Sequence, residues 1–146
     1  MKRILCAALM LLSVLVIACT AENGYDFISV SGLNGMFERI DDGEYVTSFA
    51  YCDNAYEGPN RAFVTCDEDE IRLVLEALRN VRIDCKTDLF VTDLYPLMTF
   101  ELSGGTSWTL RFDYNMLETD EGMYLLENDE ALWNAIGTIA EMHDAS

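Results

Sequence analysis

The chain has 146 residues, 51% of them hydrophobic and 11% aromatic. That is enough for one folded domain and too apolar for a disordered acidic tail. Nine Lys and Arg stand against 26 Asp and Glu, a net charge of −17, which excludes nucleic-acid binding by phosphate neutralisation and electrostatic adhesion to anionic lipid.

The N-terminus has the three-part layout of an export signal. Met1-Lys2-Arg3 is basic, residues 4–17 are apolar apart from Ser13, and Ala18, Thr20 and Ala21 are small. Fourteen residues of helix reach about 21 Å, short of the ~30 Å of hydrocarbon that a permanent span must cross. Val16-Ile17-Ala18-Cys19 resembles the lipobox of bacterial lipoproteins. The resemblance implies cleavage after Ala18 and diacylation of Cys19, which becomes the mature N-terminus. On that reading residues 1–18 are the signal, 19–25 a tether and 26–146 a single domain, exported and held to the membrane by lipid. The alternative is cleavage after Ala21, which releases a soluble secreted protein. Loss of residues 1–18 removes two basic residues and no acid, so the mature chain carries −19. Like charge then holds the body off an anionic bilayer.

In the body, residues 27–30 read as a short strand. Residues 36–40 and 45–51 flank Asp42-Gly43, a type I′ turn signal that predicts a hairpin with Ile40 opposite Tyr45 and Met36 opposite Phe49. Residues 61–65 form a third strand. A helix follows, announced by the capping-box spacings Thr65 to Glu68 and Asp67 to Glu70. It has an apolar stripe of Ile71, Val74, Leu75, Leu78 and Val81, with Arg79, Arg82 and Lys86 towards its end. Residues 97–102 and 106–114 alternate strictly. A three-residue loop, 103–105, aligns Phe100 with Trp108 and Met98 with Leu110, with Gly105 in the left-handed region. Residues 116–117 and 123–126 flank Asp120-Glu121-Gly122 as a further hairpin. Asn128 then caps a second helix over 129–142, which buries Leu132, Trp133, Ile136 and Ile139. The expected fold class is α+β: a twisted antiparallel sheet of hairpins with two helices packed on one face. This layout resembles that of small uncharacterised lipoproteins of Gram-positive bacteria, which implies no activity.

Cys52, Cys66 and Cys85 belong to the domain. Cys52 with Cys66 is the candidate disulfide of an exported chain, and three thiols acting as small hydrophobes are the alternative. There is no C-x-x-C, and His143 is the chain's single histidine, so no zinc site and no cofactor is expected. The run of acids over 67–70 suits the positive end of a helix dipole, with Glu68 and Arg72 as an i,i+4 pair. Asp113, Asn115, Glu118, Asp120 and Glu121 form a second acidic cluster without the spacing of a calcium loop. It is a candidate weak cation site or a set of solvated carboxylates. Trp108 and Phe112 read as core. Tyr56, with Asn54 and Asn60, occupies a loop where binding residues tend to sit. No nucleophile matches the histidine and no glycine-rich phosphate loop precedes a helix.

The leading expectation is therefore a non-enzymatic, surface-anchored binding module for a protein, peptide or cationic ligand, with no role in nucleic-acid binding. A carboxylate-dependent hydrolase of cell-wall or dietary glycans and a purely structural spacer are the alternatives.

Overall fold

A computed structural model describes residues 25–53, 61–88, 96–113 and 115–145. The signal segment, Ala18, Cys19, the loop bearing Asn54, Tyr56 and Asn60, and the connector over 89–95 all lie outside the described residues. The fold is α+β, built on one seven-stranded, wholly antiparallel sheet.

The first described elements are a single helical turn, α1 (Phe27–Val30), and then α2 (Asn34–Asp41). Both segments were expected to be strands. Asp26 settles the first by accepting a hydrogen bond from Ser29 N–H at 2.9 Å, as an N-cap does. The second is settled by Leu33, Met36, Phe37 and Ile40, which recur at helical spacing; the first three are buried and Ile40 packs against them. Alternation over five residues cannot distinguish that stripe from a strand. The Asp42-Gly43 signal for positive φ is correct, but its meaning differs. Gly43, at φ 105°, ends a helix in a Schellman motif: Gly43 N–H donates to Ile40 O and Glu44 N–H to Arg39 O. The expected pairings of Ile40 with Tyr45 and Met36 with Phe49 do not occur.

Strands β1 (Val46–Asp53) and β2 (Arg61–Thr65) pair with each other. The helix α3 (Glu68–Asn80) starts at Asp67, whose carboxylate accepts from the N–H groups of Asp69 and Glu70. Thr65 is not the cap; its hydroxyl accepts from Asp67 N–H at 3.0 Å. Next comes β3 (Arg82–Thr87), which the sequence presents as a basic helix end. Only Ile83 of its six residues is buried, so it carries no apolar alternation. Strands β4 (Leu97–Leu102) and β5 (Ser107–Asp113) follow. They have the expected register, Phe100 against Trp108 and Met98 against Leu110, with Gly105 at φ 81°. The last elements are β6 (Met116–Thr119), β7 (Gly122–Glu127) and α4 (Glu130–Asp144). Asn128 does not cap α4. It takes φ 56°, and Asp129, next in line, accepts from Trp133 Nε1 at 2.7 Å.

The strand order is β2-β1-β4-β5-β6-β7-β3. One cluster of buried side chains draws on strands and helices alike, among them Phe49, Phe63, Phe100, Phe112 and Tyr124 from the strands and Leu78, Leu132 and Ile139 from the helices. Among the described residues there are four helical segments where two were expected. No disulfide joins Cys52 to Cys66. Cys52 lies opposite Ala62 in the β1–β2 ladder, four residues from Cys66, or about 13 Å along a strand, beyond the ~7 Å reach of a disulfide.

Two glycine substitutions separate backbone strain from packing, since a Cβ at Gly43 or at Gly137 meets no atom within 4 Å. Gly43→Ala forces an L-residue into positive φ and lowers stability by about 1 kcal/mol. Gly137→Ala, inside α4, raises it by about 0.5–1 kcal/mol. Urea unfolding of the two variants gives shifts of opposite sign; shifts of the same sign would contradict this account.

Candidate functional site

The candidate site grows from a mismatch in strand length. β5 pairs with β4 from Ser107 to Arg111, but with β6 only from Arg111 to Asp113. β6 cannot continue, because Thr119 closes the turn into β7. Its hydroxyl donates to Gly122 O at 3.2 Å and accepts from Glu121 N–H at 3.1 Å, and Gly122 takes φ 132°. The sheet therefore splits, and the turn between α1 and α2 stands across from the split. Ser31 braces that turn by donating to Ile28 O at 3.2 Å. A cleft of about 610 Å³ lies between them, lined by residues 30–32, 109–111 and 118–121.

The lining is acidic. Glu118, Asp120 and Glu121 share it with Arg111, the one cation among its described lining residues. Arg111 stands directly opposite Glu118 in the ladder and forms an ion pair with it, Nη1 and Oε2 being 3.9 Å apart, too far for a hydrogen bond. Glu118 Oε2 is buried and has no hydrogen-bond partner among the described residues. A buried acceptor left unsatisfied costs about 1–3 kcal/mol, more when charged. Glu121 is engaged in part, accepting from the Tyr124 hydroxyl at 3.4 Å.

The acidic cluster read from the sequence is thus divided. Glu118 and Asp120 line the cleft with Glu121, whereas Asp113 and Asn115 are not among its lining residues. Asp113 pairs with Met116, two residues beyond the Arg111–Glu118 pair, or about 7 Å along the strand. It is 9% exposed, and burial pushes its carboxyl above the ordinary range. Asn115 sits exposed in the turn, its carbonyl accepting from Leu126 N–H. Among the described residues no three His, Cys, Asp or Glu side chains gather as metal ligands. The cleft's Arg111, Thr109 and Ser31 did not stand out in the sequence. Alternation of Trp108, Leu110 and Phe112 does place Thr109 and Arg111 on the opposite face, and that is the one signal that could have found them.

Other sequence candidates have structural roles. Asp67 is the helix cap, Asp69 pairs with Arg72 in place of the expected Glu68, and Glu70 Oε2 accepts from His143 Nε2 at 3.1 Å. His143 also stacks on Phe63, centroids 5.3 Å apart, a contact no sequence signal announced. Phe112 is fully buried. Trp108 packs beside Gly35 and under Arg39, whose guanidinium is 6.0 Å from the ring centre. Glu44 holds that corner together, bonding Arg39 at 3.0 Å and Gly104 N–H at 3.2 Å. Tyr51 is buried; burial, reinforced by the charge of Asp53, pushes its phenol well above the usual range.

No protein-family model, curated protein or solved structure matches this chain.

The raised Asp113 carboxyl fixes the sign of a pH effect. Its ionised form is disfavoured in the folded state, so the penalty is fully present above the elevated folded value and vanishes below the unfolded one. Asp113→Asn therefore raises the melting temperature at pH 7, and the advantage closes as the pH falls below about 4. Thermal scans of both proteins across that window test it, and an advantage that persisted in acid would assign the gain to packing instead.

Proposed function

We propose that this chain is an exported, lipid-anchored, non-enzymatic binding module whose cleft takes a cationic ligand. One observation carries the cleft: Glu118 Oε2 is a buried carboxylate oxygen that receives no hydrogen bond from the described chain and has only a long, 3.9 Å ion-pair contact with Arg111. An ammonium or guanidinium group entering beside it gains a charge-assisted hydrogen bond in a partly desolvated site, where such bonds are strongest. Asp120 and Glu121 add attraction at the mouth, and the net charge of −17 steers cations towards the protein as a whole.

The export reading rests on the basic, apolar and small-residue sequence of the N-terminus, and the anchor on the likeness of residues 16–19 to a lipobox. In the same reading the two long helices, α3 and α4, cover one face of a sheet built from hairpins, and the cleft stays open to an incoming ligand.

Two measurements check this. Spermidine titrated into the protein at low salt shifts the amide resonances of residues 109–111 and 118–121 saturably, and Glu118→Gln weakens that binding about tenfold or more. Shifts spread evenly over the acidic surface, unaffected by the substitution, would defeat the cleft. For the anchor, intact mass of membrane-extracted protein shows a chain beginning at Cys19 with added diacylglyceryl mass, lost in Cys19→Ala. A soluble product beginning at Glu22 would replace the anchor with secretion.

A further inference from the structure

Backbone contacts fix which way the amides of β5 point. Leu102 N–H donates to Thr106 O at 2.9 Å, and Phe112 N–H donates to Pro96 O at 3.0 Å. Even-numbered residues therefore bond towards β4. In an antiparallel ladder the bonded pairs alternate, so the odd-numbered residues direct N–H and C=O to the opposite side. The side-chain contact between Thr99 and Thr109, Oγ1 to Oγ1 at 3.1 Å, has the close approach of a non-bonded pair and agrees. At Arg111 and Asp113 the outward groups meet β6. At Ser107 and Thr109 β6 has already ended, and among the described residues no strand and no other backbone group bonds to them there. Both residues are exposed. A strand edge is therefore open inside the sheet, and Thr109 also lines the acidic cleft.

Resting on the reading of this cleft as a cation site, we propose that its ligand is an extended basic peptide. It adds as a short strand along Ser107 and Thr109 and directs a Lys or Arg side chain to Glu118. Strand addition supplies affinity through main-chain hydrogen bonds, and side chains that alternate along the strand supply specificity. Charge complementarity selects the occupant. A second copy of this chain would bring a further net charge of −17 to an acidic cleft, whereas a lysine-bearing segment is drawn in. The terminal strand β3 offers no equivalent: it presents Arg82, Asp84 and Lys86 and carries a register shift after Ile83, both devices that discourage pairing.

The test uses Ac-Val-Lys-Val-Lys-Val-NH2, spermidine, and two backbone N-methylated forms of the peptide, each methylated on one alternate set of amides. The protein itself is unaltered, so folding is not at issue. The peptide binds more tightly than spermidine and slows hydrogen exchange at Ser107 and Thr109. One methylated form binds about tenfold or more weakly, having lost the hydrogen bonds to β5, and the other retains its affinity. If spermidine and all three peptides bind but methylation has no effect and exchange at Ser107 and Thr109 is unchanged, strand addition is overturned and the cation cleft stands. If none of them binds, both readings fall.

Discussion

The structure depends on the pairing of β1 with β4. Phe49 and Phe100 face each other across this ladder with ring centres 4.8 Å apart, both fully buried, and Phe49 also meets Phe63 on β2. An aromatic pair of this kind adds about 0.5–1.5 kcal/mol to the burial of its area. It also locks register, since a slip of one residue would turn both rings to the opposite face. With β4 so fixed, β5 follows through a tight loop and β6 through β5. The split between β5 and β6 therefore inherits its geometry from a contact two ladders away.

Much of this was legible in the sequence, and the exceptions share a cause. The β4–β5 register could be read because seven residues alternate strictly and only one loop length keeps Phe100, Trp108, Met98 and Leu110 on a common face. The start of α3 was visible because Asp67 precedes a long apolar stripe. By contrast, α1 and α2 are too short for periodicity to settle, and Asp42-Gly43 reports only that positive φ is needed, which a helix end and a hairpin both require. β3 was hidden because an edge strand buries one residue and shows charges elsewhere. At the candidate site the acids were visible as a composition. Their division between a cleft and a strand end depends on where β6 stops, and that is decided by a hydroxyl on Thr119.

The acidic balance acquires a location in this structure. Many of the carboxylates have structural work: Asp26 and Asp67 begin helices, Glu44 ties α2 to the β4–β5 loop, Asp129 holds an indole, and Glu70 meets His143. Glu118 differs in having a buried oxygen that no hydrogen-bond donor of the described chain reaches, its one ion-pair contact being the Arg111 guanidinium 3.9 Å away. Charge that is merely abundant keeps a protein soluble; a sheltered carboxylate oxygen that receives no hydrogen bond is the exception among these acids.

The position of β3 bears on when the domain can form. It is the third strand in synthesis order, after β1 and β2, yet among the described residues its one strand neighbour is β7, 36 to 45 residues further on. Ile83 therefore waits, its apolar side uncovered, until nearly all of the chain has emerged. Pairings so distant in sequence close slowly because loop entropy is spent before the contact is gained. The interval is one of exposure, in which a bare strand could join the wrong neighbour. Arg82 and Lys86 act earliest here, keeping a strand without its partner from finding a false one.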